Sequence, residues 1–215
     1  LLPDHLTGIR TLLFVSNDQI NDRELWKSDG TGLGTMLLKD INPGAGISHL
    51  DAAQFAHLNE LLFFTGDDGT HGKELWKSDG TVAGTILLKD IKPGADWSVP
   101  WSLTNVGSTL FFAADDGING SELWKSDGTE SGTVMVMNVN LGAGGSGPAN
   151  LTDVNGRLFF RAYDENHGIE LWALEVPPGI PALSGWGLLV MAMLLITAGS
   201  IAISRQRSRN KAAHT

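Results

Sequence analysis

Cysteine is absent from the 215 residues. That excludes disulfides, thiolate metal sites and a cysteine nucleophile, while leaving every compartment open. Motifs for chemistry are missing as well: there is no GxSxG, no HExxH and no phosphate-cradling glycine loop, so nucleophilic, zinc-protease and nucleotide-dependent reactions have no support. Before Pro177 no window carries apolar residues at helical spacing. The opening LLPDHLTGIR has neither an initiator methionine nor the basic-then-apolar leader of an exported protein, which leads us to expect a C-terminal part of a longer precursor.

Positive charge is scarce and unevenly placed. The formal net charge is -9, yet Arg205, Arg207, Arg209 and Lys211 stand together near the end, so the remainder is more acidic than the total suggests. An acidic body repels phosphate backbones and excludes nucleic acid as a partner of that part; cations and neutral ligands suit it better. With 42% hydrophobic residues the chain is foldable and long enough for one or two domains. Its 27 glycines recur at matching places, as in a fold with many tight turns.

The octet ELWKSDGT occurs at Glu24 to Thr31, Glu74 to Thr81 and Glu122 to Thr129, and a fourth copy starts as ELWALEVPP at Glu170. Trp26, Trp76, Trp124 and Trp172 are spaced by 50, 48 and 48 residues, a period typical of propeller blades or helical solenoid units. The interior of one period decides between them. SLTNVG, TLFFAA, SELWKS and TVMVMNV are short, β-rich runs separated by DDGING and DGTESG, which predicts four strands per copy. The pairs Phe63-Phe64, Phe111-Phe112 and Phe159-Phe160 imply strands buried on both faces by neighbouring sheets, with the repeated tryptophan filling the gap.

The fold class expected is therefore all-β: a β-propeller-like array of four-stranded blades, about four copies with the last incomplete, either a small ring or an arc of a larger propeller. The copies run about 5–52, 53–101, 102–150 and 151–176. The fourth has no counterpart of TILLKDI, so its outermost strand is missing, and Leu1 to Thr7, interrupted by Pro3, is a poor substitute.

Asp18, Asp68, Asp116 and Asp164 recur eight residues before each tryptophan, and Glu24, Glu74, Glu122 and Glu170 two before it. Asn21, His71, Asn119 and His167 occupy the position five before. Such glycine-containing loops fit two descriptions: Asp and Asn bonding their own backbone to shape a turn, or oxygen ligands holding Ca²⁺. None has the twelve-residue calcium pattern, and single histidines in separate copies do not make a zinc site. Asp29, Asp79 and Asp127, each before glycine, read as hairpin turns that need no ligand. Duplication of every acid around the array argues for scaffolding over catalysis, since an active site assigns distinct roles to particular groups. Trp97 and Trp101 in GADWSVPW break the symmetry. They suit stacking on a sugar ring or a protein partner, with packing of the loop as the plain alternative.

ELWKSDGTxxGTxLLKDIxPGA, strongest at Glu24 to Ala45 and Glu74 to Ala95, resembles the ELWxxDGT repeat of large bacterial envelope and secreted proteins. The resemblance spans roughly Leu6 to Glu175. It implies a β-propeller-like repeat array without an established enzymatic activity.

After Glu175, VPPGIPALSGWG ends the β pattern, and Trp186 to Ile203 carries no charge. As a helix that run would reach about 27 Å, close to the hydrocarbon thickness of a bilayer. Trp186 stands at the entering boundary and the basic cluster Arg205, Arg207, Arg209 and Lys211 keeps its end cytoplasmic, which turns the repeats outward. The expected boundaries are a Pro/Gly linker at 177–185, a transmembrane helix at 186–204 and a basic tail at 205–215. This terminus resembles a second family, the IPTL-CTERM sorting signal of Gram-negative bacteria, through Ile180, Pro181, Leu183, Ser184, Trp186 and Gly187 ahead of an apolar helix and an Arg-rich tail. The resemblance implies recognition of those residues by an exosortase-type membrane enzyme, with the helix as a temporary anchor in membrane lipid.

The function expected is that of a non-enzymatic repeat protein of the bacterial cell envelope, a single-pass membrane protein displayed at the cell surface or secreted after C-terminal processing. It would bind a surface polysaccharide or protein ligand or serve as a scaffold, with no cofactor unless the loops hold calcium. The alternative is a surface or secreted glycan-active hydrolase whose active site lies in the propeller centre or upstream.

Overall fold

The computed structural model describes residues 11–17, 23–44 and 46–176, together with the backbone of one further strand at Ile203–Gln206. These residues form four antiparallel sheets, each a simple up-and-down meander. The first holds β1 (Leu12–Asn17), β2 (Arg23–Ser28) and β3 (Met36–Lys39). The second holds β4 (Ala56–Leu58), β5 (Leu61–Asp67), β6 (Lys73–Ser78) and β7 (Ile86–Lys89). The third holds β8 (Trp101–Val106), β9 (Thr109–Asp115), β10 (Ser121–Ser126) and β11 (Val134–Met137). The fourth holds β12 (Ala149–Val154), β13 (Arg157–Asp164), β14 (Gly168–Glu175) and β15 (Ile203–Gln206). The strands lie within a residue or two of where the alternation of apolar runs and glycine turns put them.

Register is the same in every copy. Phe14 faces Trp26, Phe64 faces Trp76, Phe112 faces Trp124 and Phe160 faces Trp172 across the central strand pair. In the last three copies the two rings stack with centroids 6.3, 6.5 and 6.5 Å apart. A bulge recurs just before each of the first three tryptophans, where one extra residue of the strand after it, Leu38 of β3, Leu88 of β7 or Val136 of β11, is skipped in the pairing.

The sheets pack on one another in chain order. One cluster joins Leu13, Leu25, Leu38 and Ile41 of the first sheet region to Leu62, Phe64 and Trp76 of the second. The next joins Phe63, Leu75, Leu88 and Ile91 to Leu110, Phe112 and Trp124, and a third joins Phe111 and Leu123 to Leu158, Phe160 and Trp172. The second and third sheets therefore have two unlike faces: a Leu-Phe-Trp face toward the predecessor and a Phe-Leu face toward the successor. The repeated tryptophan fills the gap between sheets, as its recurrence implied.

Burial follows position in the stack. β5 and β9 are buried on both faces, whereas β13 alternates buried with exposed along most of its length, because the fourth sheet has a described neighbour on one side only. The expectation that Phe159, like Phe63 and Phe111, sits between two sheets is thus corrected: Phe159 is half-buried. No apolar cluster of described residues joins the first sheet to the fourth.

Asp29, Asp79 and Asp127 stand in the turns that join two adjacent antiparallel strands, as expected; the loop from β6 to β7 spans seven residues, with Asp-Gly at its start. One further expectation changes. The outermost strand of the fourth sheet is supplied by the chain's far end, since β15 pairs antiparallel with β14, Trp172 opposite Arg205. An edge strand presents unpaired N–H and C=O groups, and Ile203–Gln206 satisfies those of β14. Ile203 and Ser204, expected to end a transmembrane helix, and Arg205, expected to open a cytoplasmic tail, are extended in this pairing. Among the described residues no helix is long and apolar enough to cross a membrane, and the rest of the segment from Trp186 lies outside them.

Candidate functional site

The octet that defines the repeat builds a self-contained loop. Asp79 accepts hydrogen bonds from the Thr81 amide (2.9 Å) and hydroxyl (2.7 Å), and Thr81 Oγ1 accepts one from the Gly84 amide (2.9 Å). Ser78 Oγ accepts the Gly80 amide and meets Thr85 Oγ1, which in turn donates to the Thr81 carbonyl. The same bonds recur around Asp29 and Asp127. A Cβ at Gly84 would lie 2.0 Å from Asp79 Oδ1 and force that carboxylate out of place; the clashes at Gly34 and Gly132 are equivalent. The Thr81 hydroxyl and amide hold the Asp79 carboxyl below its usual range. The sequence SDGTxxGT is thus consumed in shaping its own loop.

The glutamate of ELW does a different job. Glu74 is fully buried and accepts four hydrogen bonds from the segment leading to the third sheet: from the amides of Ile91 (2.9 Å), Lys92 (3.4 Å) and Ser98 (3.1 Å) and the Ser98 hydroxyl (2.6 Å). Ser98 then passes its carbonyl to the Asp115 amide of β9 (2.9 Å). Glu24 accepts the Ile41 amide (2.7 Å), and Glu122 accepts the Val139 amide (3.1 Å) and the Ser146 hydroxyl (2.5 Å), so the stitch repeats between successive sheets. Burial pushes Glu74 up to about 7, against the pull of the Ser98 hydroxyl and the amides; burial likewise raises Glu122. A value near 7 would suit a general acid, but a side chain with no exposure and four internal donors reaches no substrate.

The turns between the second and third strand of each sheet, where calcium was considered, are shaped by their own side chains. Asp68 accepts the Thr70 and His71 amides on one oxygen (both 2.9 Å) and faces His71 Nδ1 with the other (2.8 Å). Asp116 accepts the Ile118 and Asn119 amides and the Asn119 side chain, and Asn119 in turn accepts from Asn138. Asp164 accepts the Asn166 amide and meets His167 Nδ1 at 2.8 Å. Burial of Asp68 would raise its carboxyl, but the His71 and Thr70 amides and the His71 ring outweigh it and hold the group below its usual range; the bond to Asp68 raises His71. Asp68, Asp116 and Asp164 belong to different sheets, and no group of three metal-ligating side chains occurs among the described residues. Asp18 and Asn21 lie outside those residues, as do Ile180, Pro181, Leu183, Ser184, Trp186, Gly187, Arg207, Arg209 and Lys211.

Trp97 and Trp101 part company. Trp101 opens β8 and is half-buried, whereas Trp97 is 44% exposed and tilts against His49 of the preceding linker at 4.8 Å between ring centroids. The loop carrying Trp97 lies directly on Gly72, where a Cβ would meet the Asp96 carbonyl oxygen at 2.4 Å and Trp97 Cδ1 at 2.6 Å. His49 and Val99 both hold positive φ, 54° and 46°, at the linker position that glycine fills in the next copy as Gly147. A β-branched residue there is strained. Sequence reasoning passed over His49 and Val99, and also Ser48, Ser98 and Ser146. The serines carried a signal, since each follows its glutamate by 24 residues.

What fold and site define together is an all-β repeat array whose recurring polar residues hold loops and sheet junctions. No protein-family model matches the chain, and no curated protein matches it.

Proposed function

We propose that this chain is a non-enzymatic repeat protein of the bacterial cell envelope, a propeller-like scaffold that displays a binding surface. One observation carries the non-enzymatic part: Asp79 in its loop, Asp68 and Asp116 in their turns and Glu74 at its junction are each committed to backbone donors of their own or the next sheet. Groups so committed are scaffold, and a catalytic pocket needs at least one that is not. Trp97, exposed above His49 on a loop seated by Gly72, is the surface aromatic best suited to stack on a sugar ring. A calcium ion would take the loops of Asp18, Asp68, Asp116 and Asp164.

The C-terminal part of the proposal rests on sequence. The apolar segment from Trp186 anchors the chain in lipid, Arg205, Arg207, Arg209 and Lys211 keep its end cytoplasmic, and Ile180 to Gly187 present the sorting signal to an exosortase-type enzyme. Crossing the membrane and pairing with β14 exclude one another, because a strand bonded beside Trp172 stands on the same side as the repeats. Insertion therefore withdraws Ile203–Gln206 from the fourth sheet and leaves β14 as an edge.

A polysaccharide-binding screen with the wild-type chain and Trp97→Ala, followed by hydrolysis assays on whatever binds, tests the first part. Binding lost in Trp97→Ala without turnover in the wild type is expected. Turnover abolished by mutating one copy's acid, but not its counterparts, favours the glycan hydrolase. Mass spectrometry of the mature C-terminus tests the second part: Thr215 retained on the surface form excludes processing while leaving anchoring in place.

A further inference from the structure

Ser98 stands between two groups that both call for its hydroxyl proton. Its Oγ lies 2.6 Å from Glu74 Oε2 and 3.3 Å from the carbonyl oxygen of Lys73, and a hydroxyl has a single proton to give. The carbonyl can only accept. In the first copy Ser48 gives its proton to the matching carbonyl of Arg23, and in the third Ser146 stands 2.5 Å from Glu122. A carboxylate at Glu74 takes the Ser98 proton and leaves the Lys73 carbonyl to the Val99 amide alone (3.1 Å). A neutral carboxyl donates to Ser98 Oγ instead, and Ser98 then donates to Lys73, so that every proton is used. Glu74 has no exposure, and the charged form leaves a net charge in the interior that neutral donors offset only in part; burial accordingly raises the group to about 7.

What this relay fastens is the linker that carries Trp97. Trp97 precedes Ser98 directly, and its loop sits on Gly72, two residues before Glu74. Val99, on the other side of Ser98, holds φ at 46° where the third linker has Gly147, and a β-branched residue stays there only while its surroundings impose it. The junction between the second and third sheets is therefore the one poised to open. We infer that the proton on Glu74 sets the seat of Trp97: with it, the relay holds Ser98 on β6 and fixes the indole above His49; without it, the carboxylate draws in water, the linker lifts and the platform loosens. This regulation rests on reading Trp97 as the residue that stacks on a ligand. The closed junction binds the proton more tightly than the open one, so the seat is firm in acid, opens as pH rises toward about 7 and changes little beyond. The charged groups on the surrounding elements are Asp67, His71 and Lys73 at the β5–β6 turn, Asp90, Lys92 and Asp96 along the linker and Asp115 on β9; no side chain among them bonds to the Glu74 carboxyl, and Lys92 meets Asp115 at 3.3 Å.

Hydrogen exchange followed by NMR on the full chain in detergent reads the seat without any ligand, so its failure is separate from the failure of a polysaccharide to bind Trp97. Corrected for intrinsic exchange, protection of the Ser98 amide is expected to fall at least about tenfold between pH 5 and 7, against a ceiling of about a hundredfold for one proton over that range. The Thr81 amide, bonded to an Asp79 carboxyl held below its usual range, should keep its protection. The Trp97 indole resonance, assigned with Trp97→Phe, should follow the Ser98 profile. In Glu74→Gln that profile should be flat, and in His71→Asn, which copies Asn119 of the next sheet, it should persist. Ser98→Ala leaves the carboxyl proton without its acceptor and should lower protection of the Ile91 amide at pH 5 at least about threefold. A flat wild-type profile, a profile that survives Glu74→Gln or vanishes in His71→Asn, or a Trp97 resonance indifferent to pH each overturns the inference. Should Glu74→Gln fail to fold, Ser98→Ala decides in its place.

Discussion

Replacing Glu74 by glutamine keeps the shape of the stitch between the second and third sheets and removes its charge. The carboxylate has no exposure, and burial raises it to about 7 from the 4.5 of an unperturbed glutamate. Between those values the folded chain binds a proton that the unfolded chain does not, so unfolding releases one. The sign follows: the stability contributed by this group is fully present below pH 4.5 and is lost as pH rises through about 7. A difference of about 2.5 pH units at about 1.4 kcal/mol each sets a ceiling of about 3 kcal/mol, reduced where the junction relaxes or water enters. Glutamine does not titrate, and its amide faces donors where the carboxylate offered acceptors, which costs about 1–3 kcal/mol on its own. Urea denaturation at pH 5, 6, 7 and 8 separates the two effects. Wild type should lose roughly 2 kcal/mol more than Glu74→Gln between pH 5 and 8, the contribution of Glu122 cancelling because both proteins share it. Parallel pH profiles for the two proteins would refute the account of Glu74 as a buried, proton-binding junction.

Gly84→Ala should cost about 1–2 kcal/mol, because Asp79 must swing away and forfeit its bonds to Thr81, whereas Gly32→Ala, with open space around the new methyl, should stay within about 0.5 kcal/mol; chemical denaturation of both variants compares them. By NMR, His71 should titrate above an unperturbed histidine and move down in Asp68→Ala, since the carboxylate stabilises the imidazolium below the folded midpoint and that contribution fades as pH rises through it. Chelation should move the melting temperature by less than about 2 °C; a larger fall makes Asp68, Asp116 and Asp164 ligands instead of turn formers.

Much of the fold was legible because the chain repeats itself. One copy parsed into four strands parses the others, while the register that sets phenylalanine opposite tryptophan emerged only from the paired strands. The Asp-Gly loops were legible as turns, but not their internal bonding: Thr81 and Thr85 close the loop on itself, a geometry visible only once the strand ends are placed. Glu74 recurred plainly in the sequence, and so did Ser98 at a constant 24 residues beyond it, but nothing local tied the two, because their bond forms only where the linker after β7 returns to β6. The contact of Trp97 with His49 was hidden for the same reason, being made between two successive linkers.

From the order of residues alone came the four copies, the strand pattern within each and a tryptophan between sheets, since these depend on periods of two and of about fifty residues that any reader of the chain can count. Tertiary structure decided what identical residues experience. Leu75 and Leu171 occupy one position in the repeat, yet one is sealed and the other 47% exposed, because among the described residues another sheet stands beyond the first and none beyond the second. It also decided that Ile203–Gln206 completes the fourth sheet, a pairing driven by the unsatisfied backbone of β14 and written in no local pattern of that apolar, basic-ended segment.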